Sequence, residues 1–94
     1  DKHVFKLQFP IGEFDMVVQD PKTLSCEIYE IKYSNQRARE QYRHINDEEK
    51  CAMTIHRYGN ITGRYVIYRG ENTEMDSIQY LNVEDYLKSL EKTR

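Results

Sequence analysis

Three residues with side chains suited to catalysis lie on two neighbouring segments of this sequence. Asp15 is on the first segment, and Glu30 and Lys32 are on the second. Side chains two positions apart on a strand face the same side, so Glu30 and Lys32 would share a face. Hard divalent cations take carboxylate oxygens as ligands, and a neighbouring ammonium can act on a water beside the metal. This combination indicates metal-assisted phosphodiester hydrolysis as the candidate chemistry.

The segments that must position these residues are predicted to form a β-hairpin. Alternating apolar residues predict strands at Glu13–Gln19 and Cys26–Tyr33. The intervening Asp20–Thr23 favours a turn, because its proline presets the first central position. An even-length loop centred on this turn places Asp15 opposite Glu30, and directly opposed side chains have Cβ atoms about 4.5–5.5 Å apart. We therefore expect these two carboxylates, the acid pair, to lie side by side.

The same spacing has a second interpretation, a solvated strip on the outside of the sheet. In this interpretation Glu13 lies opposite Lys32 and forms an ordinary surface ion pair with it, and the acid pair is exposed. Opposed carboxylates repel each other unless a cation lies between them. The spacing alone favours the surface strip, whereas a cation between the carboxylates would make the same residues a site.

The rest of the chain is predicted to complete a mixed sheet that is covered by helices. A strand at Val4–Phe9 precedes the hairpin and forms a meander with it, and a helical segment follows over Asn35–Tyr58. The later elements are a buried strand, a polar loop, a short strand and a final helix, predicted at Arg64–Arg69, Gly70–Ser77, Ile78–Leu81 and after Asn82 as its cap.

The two helical segments carry more detailed expectations. Asn46 is the expected N-cap of the second half of the first segment, because Glu49 then occupies the capping-box position. The apolar face of that half would consist of Ala52, Met53 and Ile55. The final helix has apolar residues at helical spacing that are expected to face the sheet, namely Val83, Tyr86, Leu87 and Leu90.

Composition limits the classes of protein to which the chain can belong. The 94 residues amount to one domain, spanning 1–94, with a formal net charge of −2. The sequence lacks the run of about 18 apolar residues that a membrane span needs. It also lacks the basic excess of a free-standing nucleic-acid binder. Cys26 and Cys51 are expected to be reduced thiols in a cytoplasmic protein. Since the chain starts with Asp1, we expect it to be a piece of a longer protein.

Several blocks of the sequence resemble a known family. Asp15, followed across the predicted hairpin by Glu30-Ile31-Lys32, resembles the signature of the PD-(D/E)XK nucleases. More narrowly, the chain looks like the nuclease-like domain of unknown function at the C-terminus of prokaryotic AAA-type ATPases. The blocks that carry this resemblance are Glu13–Asp15, Tyr29–Ser34, Gln41–His44 and Asp47–Cys51.

The resemblance implies a fold, a site and partners. The fold would be an α/β mixed sheet with a restriction-endonuclease-like core, in which the helix that normally opens the core is missing from this chain. Asp15 and Glu30 would bind Mg²⁺ or Mn²⁺ together with the carbonyl of Ile31. Lys32 would be the catalytic lysine and Glu13 a supporting acid. The implied partners are the ATPase portion of the parent chain and DNA, with no membrane.

Two questions stay open at this point. Three arginines of the first helical segment, Arg37, Arg39 and Arg43, could contact phosphates, although a solvated helix face is the favoured interpretation. The chain could be a metal-dependent nuclease domain or an accessory module that keeps the nuclease fold without cutting and binds a partner or regulates the ATPase. Fold alone does not decide between these functions.

Overall fold

The computed structural model describes residues 3–5, 14–32 and 43–92. The elements bounded within these residues are, in chain order, β1 (His3–Phe5), β2 (Met16–Asp20), β3 (Ser25–Ile31), α1 (Glu48–Tyr58), β4 (Asn60–Tyr68), β5 (Thr73–Met75), β6 (Ile78–Asn82) and α2 (Val83–Lys92). Residues 43–45 are also helical. The strands form one mixed sheet in the order β1-β2-β3-β4-β6-β5. The predicted mixed α+β class is therefore confirmed.

The first three strands form the expected antiparallel meander. Met16 pairs with Tyr29 and Asp20 pairs with Ser25, which is the register that the even-length turn predicted. Residues 21–24 make the turn. Because side-chain direction alternates along a strand, this register determines which residues of β2 and β3 share a face.

Both strands of the hairpin are shorter than the sequence pattern predicted. β2 begins at Met16 and β3 ends at Ile31, so Asp15 and Lys32 flank the strands. Glu13, Tyr33 and the second half of the predicted first strand lie outside the described residues. The hairpin therefore places its chemically interesting residues at its open end, where the ladder of hydrogen bonds stops.

The second half of the sheet is parallel at its centre. β4 pairs with β3 and β6 pairs with β4, both in parallel, and α1 forms the crossover between β3 and β4. Gly59 joins α1 to β4 with a φ of 96°, and a Cβ at this position would lie 1.8 Å from the Leu24 carbonyl oxygen. Only glycine fits this junction, because both its conformation and its close backbone contact exclude a side chain.

The polar loop predicted over Gly70–Ser77 contains a strand, and this prediction is wrong in part. β5 pairs antiparallel with β6, and Asp76 and Ser77 form the connecting turn with φ values of 53° and 65°. Two successive residues with positive φ are the geometry of a tight hairpin turn that usually contains glycine or asparagine. The Asp-Ser sequence gives a weaker signal for this turn, which is why the pattern indicated a loop.

Helix α1 begins one residue later than predicted, and its buried face also differs from the prediction. Asp47 is the N-cap in place of Asn46, and its side chain accepts a hydrogen bond from the Lys50 N–H. The expected apolar face is wrong, since Ala52 and Ile55 are exposed. The buried residues of the helix are Lys50, Cys51 and Thr54.

The two helices pack on opposite faces of the sheet. The main core lies on the α1 face, where Cys51 packs with Ile28 of β3 and Val66 of β4. On the other side, the α2 face, Tyr86 of α2 contacts Tyr29 of β3.

Helix α2 packs less completely on the sheet than its pattern predicted. Asn82 caps it as expected, because its Oδ1 accepts hydrogen bonds from the N–H groups of Glu84 and Asp85. However, Leu87 and Leu90 are 55% and 46% exposed, so the predicted apolar face is only partly covered. Among the described residues, no helix is long and apolar enough to span a bilayer.

Candidate functional site

Asp15 lies at the open end of the hairpin, where its side chain takes the place of a backbone hydrogen-bond acceptor from β2. β2 starts one residue after it, at Met16. The Ile31 N–H on β3 donates a hydrogen bond to Asp15 Oδ2 at 2.8 Å. The carboxylate thus satisfies a backbone donor that would otherwise pair with a longer β2, and this bond holds the side chain against the end of β3.

Glu30 is the buried member of the acid pair. It lies on the α1 face, beside Val66 of β4, and is only 7% exposed. Asp15 interacts with it through side-chain and backbone hydrogen bonds. Within the described part of the chain, Glu30 Oε1 is buried and has no hydrogen-bond partner. A buried carboxylate oxygen without a hydrogen-bond partner destabilises the folded protein, and a bound cation can interact with such an atom.

The electrostatics of Glu30 reflect these surroundings. The pKa of Glu30 is raised from 4.5 to about 7, chiefly by burial and also by the neighbouring charge of Asp15. Lys50 opposes this rise and lowers the pKa. The charged form of Glu30 is therefore disfavoured in the protein without a metal, because two carboxylates share one poorly solvated site.

Lys50 is the functional candidate that the sequence analysis missed. It is only 2% exposed although lysine is almost never fully buried without a partner. Its Nζ lies 2.8 Å from His44 Nδ1 and 5.8 Å from the centroid of the Phe14 ring. An ammonium group can only donate, so the His44 ring nitrogen accepts this hydrogen bond. No local signal in the sequence indicates this burial, because a lysine is expected at the surface.

The other two predicted site residues follow Glu30 along the chain. Ile31 is 38% exposed. In an extended strand the N–H and C=O of one residue point to the same side, so the Ile31 carbonyl lies on the side of its N–H, toward Asp15. Lys32 is half-buried, and its N–H donates to the Ile67 carbonyl at 2.8 Å. If the alternation of β3 continues one residue further, the Lys32 side chain lies on the face of Glu30.

The donor set at this end of the hairpin suits a hard divalent cation. Asp15 and Glu30 supply carboxylate oxygens, and the Ile31 carbonyl lies on the Asp15 side of β3. Glu30 Oε1 has no hydrogen-bond partner among the described residues. Such oxygen ligands are those that Mg²⁺ and Mn²⁺ take in proteins. In the described ranges, no three His, Cys, Asp or Glu side chains come together as a metal cluster. The fit therefore depends on two carboxylates and a backbone oxygen.

Of the three arginines proposed to contact phosphates, the structure describes Arg43. Arg37 and Arg39 lie outside the described residues, as does the supporting acid Glu13. Arg43 is exposed at the start of the described helical residues 43–45. A further arginine, Arg64 of β4, lies on the α1 face, where its guanidinium approaches Cys51 Sγ at 3.9 Å and its Nε is buried without a partner among the described residues.

The opposite face of β3 carries a second glutamate, Glu27, in a different environment. The Tyr65 hydroxyl donates to Glu27 Oε2 at 3.1 Å, and Tyr29 also forms a side-chain hydrogen bond with Glu27. The Tyr29 and Tyr65 rings stack with their centroids 4.7 Å apart, and the Tyr86 ring of α2 lies 5.9 Å from that of Tyr29. We call these four residues the tyrosine cluster.

The two cysteines behave as buried thiols. Cys26 and Cys51 are free and buried. The pKa of Cys26 is raised to about 11, chiefly by burial and also by the neighbouring Cys51 and Glu27. A thiol with a raised pKa is a poor nucleophile, so cysteine chemistry does not compete with the acid pair as the candidate reaction of this chain.

Comparison with protein-family models, with curated proteins and with solved structures found no match.

Proposed function

We propose that this chain is the nuclease-like domain of an AAA-type ATPase, and that Asp15, Glu30 and the Ile31 carbonyl hold one Mg²⁺ or Mn²⁺ for phosphodiester hydrolysis on DNA. The observation that carries the proposal is the buried Glu30 carboxylate, which lies beside Asp15 with an unpartnered oxygen. The meander, followed by helix α1 and further strands, supports it, because this is the arrangement that the nuclease resemblance implies.

In this proposal, the acid pair and Lys32 have different roles in hydrolysis. When bound, a divalent cation polarises a phosphodiester oxygen and lowers the pKa of a coordinated water. The acid pair holds and orients the cation, and the Asp15 side chain is kept in place by the Ile31 N–H. Lys32, on the face of Glu30, orients the attacking water or stabilises the charge that develops on the phosphate. The two free cysteines agree with a reducing, cytoplasmic compartment.

An accessory module without catalysis is the second candidate function. The observation that favours it is Lys50, because a buried ammonium near Glu30 can balance charge in the site without any metal. The net charge of −2 also fits a protein-binding role better than tight binding to DNA. In that case the nuclease fold would serve the ATPase portion through protein contacts.

A nuclease assay separates the two functions. Cleavage of single-stranded, double-stranded and branched DNA is measured with Mn²⁺, for the chain alone and joined to the ATPase portion. We expect Lys32→Ala to reduce the rate at least about tenfold while Mn²⁺ binding persists, and Asp15→Asn to remove both activities. Asp76→Asn is the matched control, since it makes the same change in an exposed turn where asparagine tolerates positive φ.

The outcomes of this assay are distinct. Mn²⁺-dependent cleavage that Asp15→Asn abolishes and Asp76→Asn preserves supports the nuclease. Absence of cleavage by the longer protein, with Mn²⁺ still bound, contradicts catalysis and favours the accessory module. Absence of both cleavage and Mn²⁺ binding contradicts the metal site itself.

A further inference from the structure

Helix α1 carries a buried lysine, Lys50, and packs on the same face of the sheet as Glu30. Lys50 is 2% exposed and Glu30 is 7% exposed, and the ammonium of Lys50 attracts the Glu30 carboxylate. The aromatic ring of Phe14, the residue before Asp15, lies 5.8 Å from Lys50 Nζ. Lys50 therefore acts on the acid pair from the protein interior.

The position of Lys50 in its helix is unfavourable for a cation. Lys50 is the third residue after the N-cap, and the positive end of the helix dipole repels cations in this first turn. Its main chain is held firmly, because Asp47 Oδ1 accepts from its N–H at 2.9 Å and the Thr54 hydroxyl donates to its carbonyl at 2.8 Å. The hydrogen bond to His44 Nδ1 and the attraction of the Glu30 carboxylate both stabilise the ammonium there.

We propose that Lys50 is an internal counter-cation of the acid pair, which balances the charge of Glu30 when no metal is bound and competes with a divalent cation for it. The proposal rests on the metal site proposed above and adds a residue that regulates its affinity. Lys50 acts through Glu30 and is a positioning residue, since at 2% exposure it is shielded from DNA.

The competition has a measurable consequence. In a site of low effective dielectric constant, a positive charge within several ångströms of a divalent cation opposes its binding. The intact protein should therefore bind Mn²⁺ more weakly than a variant that lacks the ammonium. We expect Lys50→Met to lower the Mn²⁺ dissociation constant by at least about tenfold, which corresponds to about 1.4 kcal/mol.

The test is a calorimetric Mn²⁺ titration of the 94-residue chain, with every variant measured in the same buffer. The control is Arg57→Met, which removes one positive charge from an exposed position of the same helix, about 10 Å along its axis. Should Lys50→Met fail to fold, Lys50→Gln keeps a donor for His44 while removing the charge. Tighter binding by the Lys50 variant, with unchanged binding by Arg57→Met, supports the proposal.

Two other results would overturn it and can be told apart from failure of the metal site. If the unmodified chain binds Mn²⁺ and the Lys50 variant binds it equally or more weakly, the counter-cation role is wrong while the metal site stands. If neither the unmodified chain nor the Lys50 variants bind Mn²⁺, the proposed metal site is wrong, and the proposed competition between Lys50 and the metal is wrong as well.

Discussion

Strand β3 carries two glutamates on opposite faces of the sheet, and their surroundings differ in kind. Glu27 belongs to the tyrosine cluster, where phenol groups donate hydrogen bonds to its carboxylate. Glu30 faces a second carboxylate, that of Asp15, and has a buried oxygen without a partner among the described residues. The same residue type on one strand is thus satisfied on the α2 face and unsatisfied on the α1 face.

This difference separates a structural carboxylate from a candidate functional one. Burial raises the pKa of the Tyr29, Tyr65 and Tyr86 hydroxyls, and the charge of Glu27 adds to this effect, so the phenols keep their protons and remain donors. Nothing comparable donates to Glu30 Oε1 in the described structure. The Glu27 carboxylate thus has hydrogen-bond donors within the fold, whereas one oxygen of Glu30 has none among the described residues.

The largest effect should come from the pH dependence of folding stability. The Glu30 pKa is raised from 4.5 to about 7, so the folded protein holds this proton over a pH range in which the unfolded chain has lost it. The free energy of unfolding should therefore fall as the pH rises from about 4.5 to about 7, by at most about 3 kcal/mol. Urea unfolding across this range should show that Glu30→Gln removes the loss. A pH dependence that is unchanged in this variant would contradict the account of Glu30.

The second-largest effect on stability should come from substitution of Glu27 in the tyrosine cluster. Glu27→Ala removes the acceptor for the Tyr65 hydroxyl and for Tyr29, which leaves buried donors unsatisfied. We expect a loss of about 2 kcal/mol in the free energy of unfolding, and a smaller loss for Glu27→Gln, whose amide oxygen still accepts. Chemical denaturation measures both. Equal stability of Glu27→Ala and the unmodified chain would show that the hydrogen bonds of the cluster contribute nothing.

Removing the charge of Asp15 should produce the smallest change in the free energy of unfolding. This change should be a gain in stability, whereas the two preceding predictions are losses. The amide oxygen of Asp15→Asn can still accept from the Ile31 N–H, while repulsion of Glu30 is relieved. In the presence of a chelator we expect this variant to gain about 1 kcal/mol and to melt at a higher temperature. Glu30→Gln should gain less at neutral pH, because it leaves the buried Lys50 opposite a neutral side chain. A lower melting temperature for Asp15→Asn would mean that the acid pair does not repel.

The hairpin and its register could be predicted because local chemistry determines them. The proline turn and the alternation of apolar residues favour one pairing of β2 and β3, and the structure has that pairing. The prediction that Asp15 and Glu30 lie together followed from this register, and their hydrogen bonds agree with it.

The missed features depend on tertiary structure. The buried face of α1 includes Lys50, which hydropathy would place at the surface. Its ammonium interacts with His44, Phe14 and Glu30, which lie outside the helix. The apolar residues Leu87 and Leu90 are exposed although their spacing predicts a buried face, because α2 contacts the sheet mainly through its first half. Periodicity shows which residues share a helix face and not how much of that face the sheet covers.

The central claim is that the acid pair is a metal site, and thermal melting of the unmodified chain with and without Mn²⁺ tests it most directly. Binding to the folded state alone should stabilise the protein by about 2.7 kcal/mol at a hundredfold excess over the dissociation constant. We predict a melting temperature that rises with millimolar Mn²⁺ in the unmodified chain and in Asp76→Asn, and that is constant in Asp15→Asn. A melting temperature of the unmodified chain that does not respond to Mn²⁺ would contradict the claim and leave Asp15 and Glu30 as structural residues at the end of the hairpin.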